Sequence, residues 1–181
     1  MPVLIVEDGT IVADANSYVS VDDATAYFDT HPDQATWDDA GEDRQIWALI
    51  RATRYLEARY SGRWRGAPVG FVGSMTGLVQ NLSWPRVVYS PQGYLYGSVA
   101  GQYEIPSQLI EAECELALRD IREGSLSPDK KRGAYVTSES VGPLSVSYRQ
   151  DAPSKTQFPE LEVILSPLLE GNLYQMQVVR G

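Results

Sequence analysis

DDAGEDRQIWALIRATRYLEARY, residues 38–60, decides the fold. Ile46, Leu49, Ile50, Thr53, Leu56 and Tyr60 recur at helical spacing and form one stripe. Arg44, Arg51, Arg54 and Arg59 fall largely off that stripe, and Trp47 flanks it. Asp39, Glu42 and Asp43 lie near the start, where the helix dipole favours negative charge, and Gly62 follows the end. The spacing predicts a long helix from Asp38 to Tyr60 with one face in the core.

Two further helices flank it. Ser20 with Asp23 three residues on reads as a capping box, and Val21, Ala24 and Phe28 continue at helical spacing. This predicts a short helix from about 21 to 30, ended near Pro32. Ile105 to Glu123 reads as a third helix, with Pro106 at the first helical position and Gly124 as its stop. Leu109, Ile110, Ala117, Leu118 and Ile121 supply its apolar face, with Cys114 as a small core residue.

The rest reads as extended chain. VLIVEDGTIV (3–12) holds two apolar runs around an Asp-Gly turn, which predicts a hairpin or an arm. Residues 61–103 carry eight glycines and three prolines and read as a long loop. Pro85 favours an extended Trp84, so Trp84 is expected to pack on the helices while Arg86 points outward. Residues 133–150 alternate at period 2 through Leu144, Val146 and Tyr148, with Gly142-Pro143 at the bend, as in a hairpin. Residues 160–170 could form a short helix that Pro167 breaks. Tyr174, Met176 and Val178 lie on one side of a terminal strand that needs a partner. The expected class is mainly α: a small helical bundle with a β-hairpin arm and extended termini. The expected divisions are an N-terminal arm (1–14), a helical domain (15–130), and a hairpin with a C-terminal arm (131–181).

Composition narrows the chemistry. The 181 residues include 43% apolar and 22% charged residues, ordinary for a globular protein. No apolar run approaches the roughly 20 residues that span a bilayer, and no signal peptide is evident. One cysteine excludes an internal disulfide, and one histidine, His31, excludes a His/Cys zinc cluster. His31 is read as an exposed loop residue. The glycines of 66–77 lack the Gly-Lys-Ser/Thr ending of a P-loop. No catalytic constellation, metal site or cofactor is expected, and so no enzyme.

Charge is uneven. Residues 1–43 carry eleven acids and no base, residues 44–103 seven arginines against one acid, and residues 104–181 twelve acids against eight bases. The block charges of −11, +6 and −4 give the net −9. Contact between the first two blocks is expected, either within one subunit or between neighbours in a ring. A third use of the arginines is phosphate binding, which a sequence pI near 4.6 restricts to a local patch.

ANSYVSVDDATAYF, WALIRATRYLE, QNLSWPR (80–86), EIPSQLIEAECELAL and SESVGPLSVSY, in this order over about residues 15–170, resemble a family of tailed-phage head–tail connector or adaptor proteins, also catalogued as DnaT-like single-stranded-DNA-binding proteins. The Gly-rich stretches 66–78 and 93–101 depart from it. The resemblance implies a structural virion protein made in the host cytoplasm and placed at the head–tail junction. It would form a ring, as a dodecamer, under the portal protein, bind the next tail or neck component, and let genomic DNA pass during packaging and ejection. Arg44, Arg51, Arg54, Arg63, Arg65, Arg86, Tyr174, Met176 and Val178 would then face the portal or neighbouring subunits. The alternative is a single-stranded-DNA-binding module. There Arg44, Arg51, Arg54, Arg63, Arg65 and Arg86 meet phosphates, and Trp64, Trp84 or tyrosines stack on bases.

Overall fold

The computed structural model describes residues 2–72, 79–90, 93–96, 98–99, 102–126, 136–140, 145–148 and 158–170. The protein is mainly α. Residues 1–126 with 160–181 form one compact unit, and residues 127–159 form a second. The segment 160–170, expected to belong with the C-terminal arm, is thus part of the helical unit.

Helix α1 (Val21–Phe28) starts as its sequence requires. The Ser20 hydroxyl accepts the Asp23 N–H at 3.0 Å and donates to the Asp23 carboxylate at 2.6 Å. The single helix expected over 38–60 is two: α2 (Gln34–Ala40) and α3 (Glu42–Tyr60). Gly41 between them has φ 75° and ψ 154°, a geometry that ends one helix and starts the next. Gln45 closes the joint by donating to the Trp37 carbonyl at 2.9 Å. Helix α5 (Ser107–Glu123) follows Pro106 and ends at Gly124 with φ 72°.

The core lies between α3 and α5. Ala48 and Ala52 of α3 and Ala112 and Ala117 of α5 are buried, so small side chains let the two backbones approach. Leu49, Leu56, Leu109 and Leu116 fill the remaining space, and Phe28 and Trp37 cover one end with rings 4.8 Å apart. Cys114 is fully buried, and burial pushes its thiol up, which fits a packing role. His31 is not an exposed loop residue. It packs against Tyr27 and Phe28, accepts the Asp33 N–H at Nδ1, and lies 3.3 Å from the Glu115 carboxylate.

The expected long loop over 61–103 carries short elements. Strand β1 (Ala67–Pro68) leads into α4 (Val69–Val72), and β2 (Arg86–Ser90) pairs antiparallel with both β1 and β3 (Gly93–Tyr96). Strands β4 (Ser98–Val99) and β5 (Gln102–Tyr103) form a separate ribbon. Gln80 ties the segment together: it accepts the Gly70 N–H at 2.8 Å and donates to the Leu82 and Pro85 carbonyls at 2.9 Å. Trp84 is fully buried, as expected. Arg86 corrects the expectation. It points inward, 7% exposed, because the carbonyls of Ser83, Trp64, Arg65 and Gly66 converge on its guanidinium.

The N-terminal segment is neither hairpin nor free arm. It folds over the buried Glu7 carboxylate, which accepts the N–H groups of Gly9, Ile11 and Val12 at 2.9–3.0 Å. The Asn16 N–H donates to the Ile5 carbonyl and Val6 bridges Ser17, so the segment turns back on itself. Gly9 (φ 92°) then meets β5, accepting the Tyr103 N–H at 2.9 Å. A Cβ on Gly9 would stand 1.8 Å from the Tyr103 carbonyl oxygen. Gly9→Ala is therefore expected to cost about 2 kcal/mol through strain and lost contact. Hydrogen exchange of the Tyr103 amide should accelerate with it, and an unchanged rate would disprove the contact.

At the other end, α6 (Pro159–Leu165) and a 3-10 turn (Ser166–Leu168) lead to a docked strand-like stretch. Arg65 N–H donates to Leu168 and Glu170 N–H to Arg63, with Trp64 bridging Leu169. Pro167 sits in the 3-10 turn, where the sequence placed the break. In the second unit β6 (Val136–Ser140) and β7 (Ser145–Tyr148) form the expected antiparallel hairpin. Its Gly142-Pro143 bend and the terminal Tyr174, Met176 and Val178 lie outside the described residues.

Candidate nucleic-acid interface

Opposite its buried stripe, α3 carries Arg44, Trp47, Arg51 and Arg54 at offsets of three, seven and ten residues, which share one helical face. Trp47 is 47% exposed, whereas Trp37, Trp64 and Trp84 are buried. Two of the arginines, Arg44 and Arg51, are anchored from below. Arg44 Nη1 lies 3.0 Å from Asp120 Oδ2 and Arg51 Nη2 lies 3.1 Å from Asp120 Oδ1. Arg44 also donates to the Asp120 carbonyl at 2.6 Å, and Arg51 to the Gly124 carbonyl at 3.3 Å. Asp120 is fully buried, while the two arginine side chains remain 34% and 39% exposed. A guanidinium has five N–H donors, so each can hold its anchor and still present N–H groups outward. Two cations on one carboxylate leave a surplus positive charge. Arg54 adds another and has no hydrogen bond or ion pair among the described residues. Asp43, exposed at the start of α3, is the carboxylate on this helix nearest to the stripe in sequence.

The other arginines are placed differently. Arg63 grips Glu162 with both Nη atoms, at 3.1 and 3.0 Å, and Arg59 joins at 3.2 Å. Both guanidinium groups also lie over the Tyr60 ring, 5.4 Å (Arg59) and 5.3 Å (Arg63) from its centroid. The Arg63 guanidinium holds the Glu162 carboxyl below its usual range. Arg65 is turned toward the Pro167 carbonyl at 3.1 Å. Arg86 is buried and cannot reach a ligand in solvent. Trp64 and Trp84 are core residues, so neither can stack on a base.

The charge blocks therefore combine in a way the sequence reading did not anticipate. Arg44 and Arg51 pair with Asp120, and Arg59 and Arg63 with Glu162, both acids of the third block. Among the described residues no ion pair joins an acid of 1–43 to an arginine of 44–103.

The C-terminal half of the same α3 face lines a groove of about 680 Å³, open to solvent. It is lined by Thr53, Arg54, Glu57, Ala58 and Ser61 together with Ala15, Asn16, Asn81 and Leu82. Glu57 is held in place by three donors: Tyr18 OH at 2.5 Å, and Ser83 N–H and Oγ at 3.2 and 2.6 Å. Beneath it the buried Glu113 carboxyl accepts the Ser17 hydroxyl at 2.6 Å and the Tyr18 N–H at 3.0 Å. Among the described residues no group of three or more His, Cys, Asp and Glu side chains is placed to hold a metal. No helix among them is long and apolar enough to cross a membrane.

Sequence reasoning placed Trp47 only beside the core stripe, although its register with Arg44, Arg51 and Arg54 was readable. It did not find the groove, whose lining comes from segments distant in sequence.

A family model described as "Putative DnaT-like ssDNA binding protein" matches residues 3–181, and the chain belongs to that family. No curated protein and no solved structure matches it. The match corrects the expectation of a structural head–tail connector of the virion, and nothing observed supports portal, ring or neck partners. The family name is that of the alternative reading.

Proposed function

We propose that the chain binds single-stranded DNA along the outer face of α3. Arg44, Arg51 and Arg54 meet phosphates and Trp47 stacks on a base. The observation that carries this reading is Trp47, half exposed within an arginine stripe, since an aromatic face between cations is what a flexible strand needs. The family name supports the same class of ligand.

The net charge of −9 opposes long-range attraction, so complexes should form at low salt and weaken as salt rises. Three phosphate contacts give a slope of log K against log salt of about −2 for a single strand. Because three of the four tryptophans are buried, quenching of intrinsic fluorescence by oligo-dT of about 16 nucleotides would report Trp47. Trp47→Ala should weaken binding by about tenfold, about 1.4 kcal/mol, within the range for a lost stack. Arg54→Glu should weaken it comparably and flatten the salt slope. Absence of both quenching and anisotropy change at about 50 mM salt would end this reading.

A further inference from the structure

We infer that the groove at the C-terminal end of the α3 stripe is a subsite for one nucleotide unit, and this rests on the single-strand reading above. The stripe runs straight into it: Arg54, Ala58 and Ser61 continue the register of Trp47 and Arg51. A volume of about 680 Å³ suits a small ligand. Ala15, Ala58 and Leu82 form the apolar part of the lining, and the two alanines add little side-chain bulk, which leaves room for a planar ring. The polar groups divide by availability. Asn16 is occupied, accepting Ile5 N–H and donating to the Val3 carbonyl at 2.9 Å each, and Glu57 is held by its three donors. Arg54 and Ser61 make no side-chain hydrogen bond or ion pair among the described residues, and Asn81 makes only a 3.4 Å contact to Asp14. One cation, one hydroxyl and one carboxamide around an apolar slot match a phosphate, a sugar or base edge, and a base edge respectively. The base enters between Ala58 and Leu82, its phosphate lies on Arg54, and Asn81 hydrogen-bonds its rim.

The test is an NMR titration of the full chain with dTMP, together with oligo-dT binding, for the wild type and Ala58→Phe. Ala58 is exposed on α3, so the phenyl ring fills the slot without entering the core. The expected result is that dTMP shifts the Asn81 side-chain amide and Arg54 Nε signals in the wild type only. The variant should bind oligo-dT about tenfold more weakly, the size of one lost base contact. Oligo-dT that quenches Trp47 equally in both proteins, with the groove signals silent to dTMP, overturns the subsite and leaves the stripe reading intact. Groove shifts with dTMP but no oligo-dT binding support the subsite and overturn the stripe reading. Silence in both experiments overturns both.

Discussion

Arg86→Ala is expected to lower the stability of the helical unit by about 4 kcal/mol, read from urea unfolding. The guanidinium donates through Nε to Arg65 O at 2.8 Å, and through its Nη atoms to Ser83 O, Trp64 O and Gly66 O at 3.2, 3.4 and 2.5 Å. These carbonyls come from two chain segments, so the side chain joins the end of the first loop to the start of β2. Burial pushes its pKa down, which marks desolvation of a cation without a carboxylate in direct contact. Hydrogen bonds to a charged donor are the stronger kind, and truncation leaves several buried acceptors without one. Arg86→Lys should recover less than half of the loss, because one ammonium cannot reproduce the planar fork. Arg86→Ala also tests the site assignment. If the arginine served phosphates, the variant would keep its unfolding midpoint and lose affinity. The cage requires the reverse order, with loss of fold before loss of any ligand.

The same residue shows where the sequence was opaque. Helical periodicity exposed the core faces of α3 and α5, because one helix in one phase is a local signal. The capping box of α1 was equally local. Arg86 faces inward because carbonyls some twenty residues away converge on it, and no spacing within the chain encodes that. The strands inside 61–103 were missed for a related reason. They are two to five residues long and are defined by pairing, β1 and β3 with β2, which lies about 20 residues from β1, and β4 with β5. Gly41 was legible as a glycine but not as a break, since a helix tolerates one at about 1 kcal/mol. Glu113 and Asp120 carried a readable signal. Glu113 falls at offsets of three or four from Leu109, Leu116 and Ala117, and Asp120 at four and three from Leu116 and Ala117, on the apolar face of α5. An acid in that position implies a polar partner, and both have one: Ser17 and Tyr18 for Glu113, Arg44 and Arg51 for Asp120.

That buried Glu113 makes stability depend on pH in an unusual direction. Its carboxyl is fully enclosed, and burial pushes it up to about 7, with the bonds from Ser17 and Tyr18 only partly offsetting this. The neighbouring Glu57 charge adds to the shift. Between the unfolded value of 4.5 and about 7 the folded protein holds a proton that the unfolded chain releases. Stability from this group is therefore complete below 4.5, falls as pH rises through the interval, and is gone above about 7. The interval corresponds to about 3 kcal/mol. Glu113→Gln keeps an acceptor for the Tyr18 N–H and cannot ionise. Urea unfolding of both proteins at about pH 5 and about pH 7.5 should show the variant gaining about 2 kcal/mol relative to the wild type at the higher pH. Glu7, also raised by burial, acts in the same direction but is present in both proteins and cancels. Glu162, lowered by Arg63, loses its contribution only as pH falls below the ordinary carboxylate range. Parallel profiles for wild type and variant would mean that Glu113 stays charged at its depth. Its negative charge would then have to be balanced by donors beyond Ser17 and Tyr18. Because Tyr18 donates its N–H to Glu113 and its hydroxyl to Glu57, the groove's affinity for a nucleotide should weaken over the same pH interval in the wild type and not in Glu113→Gln.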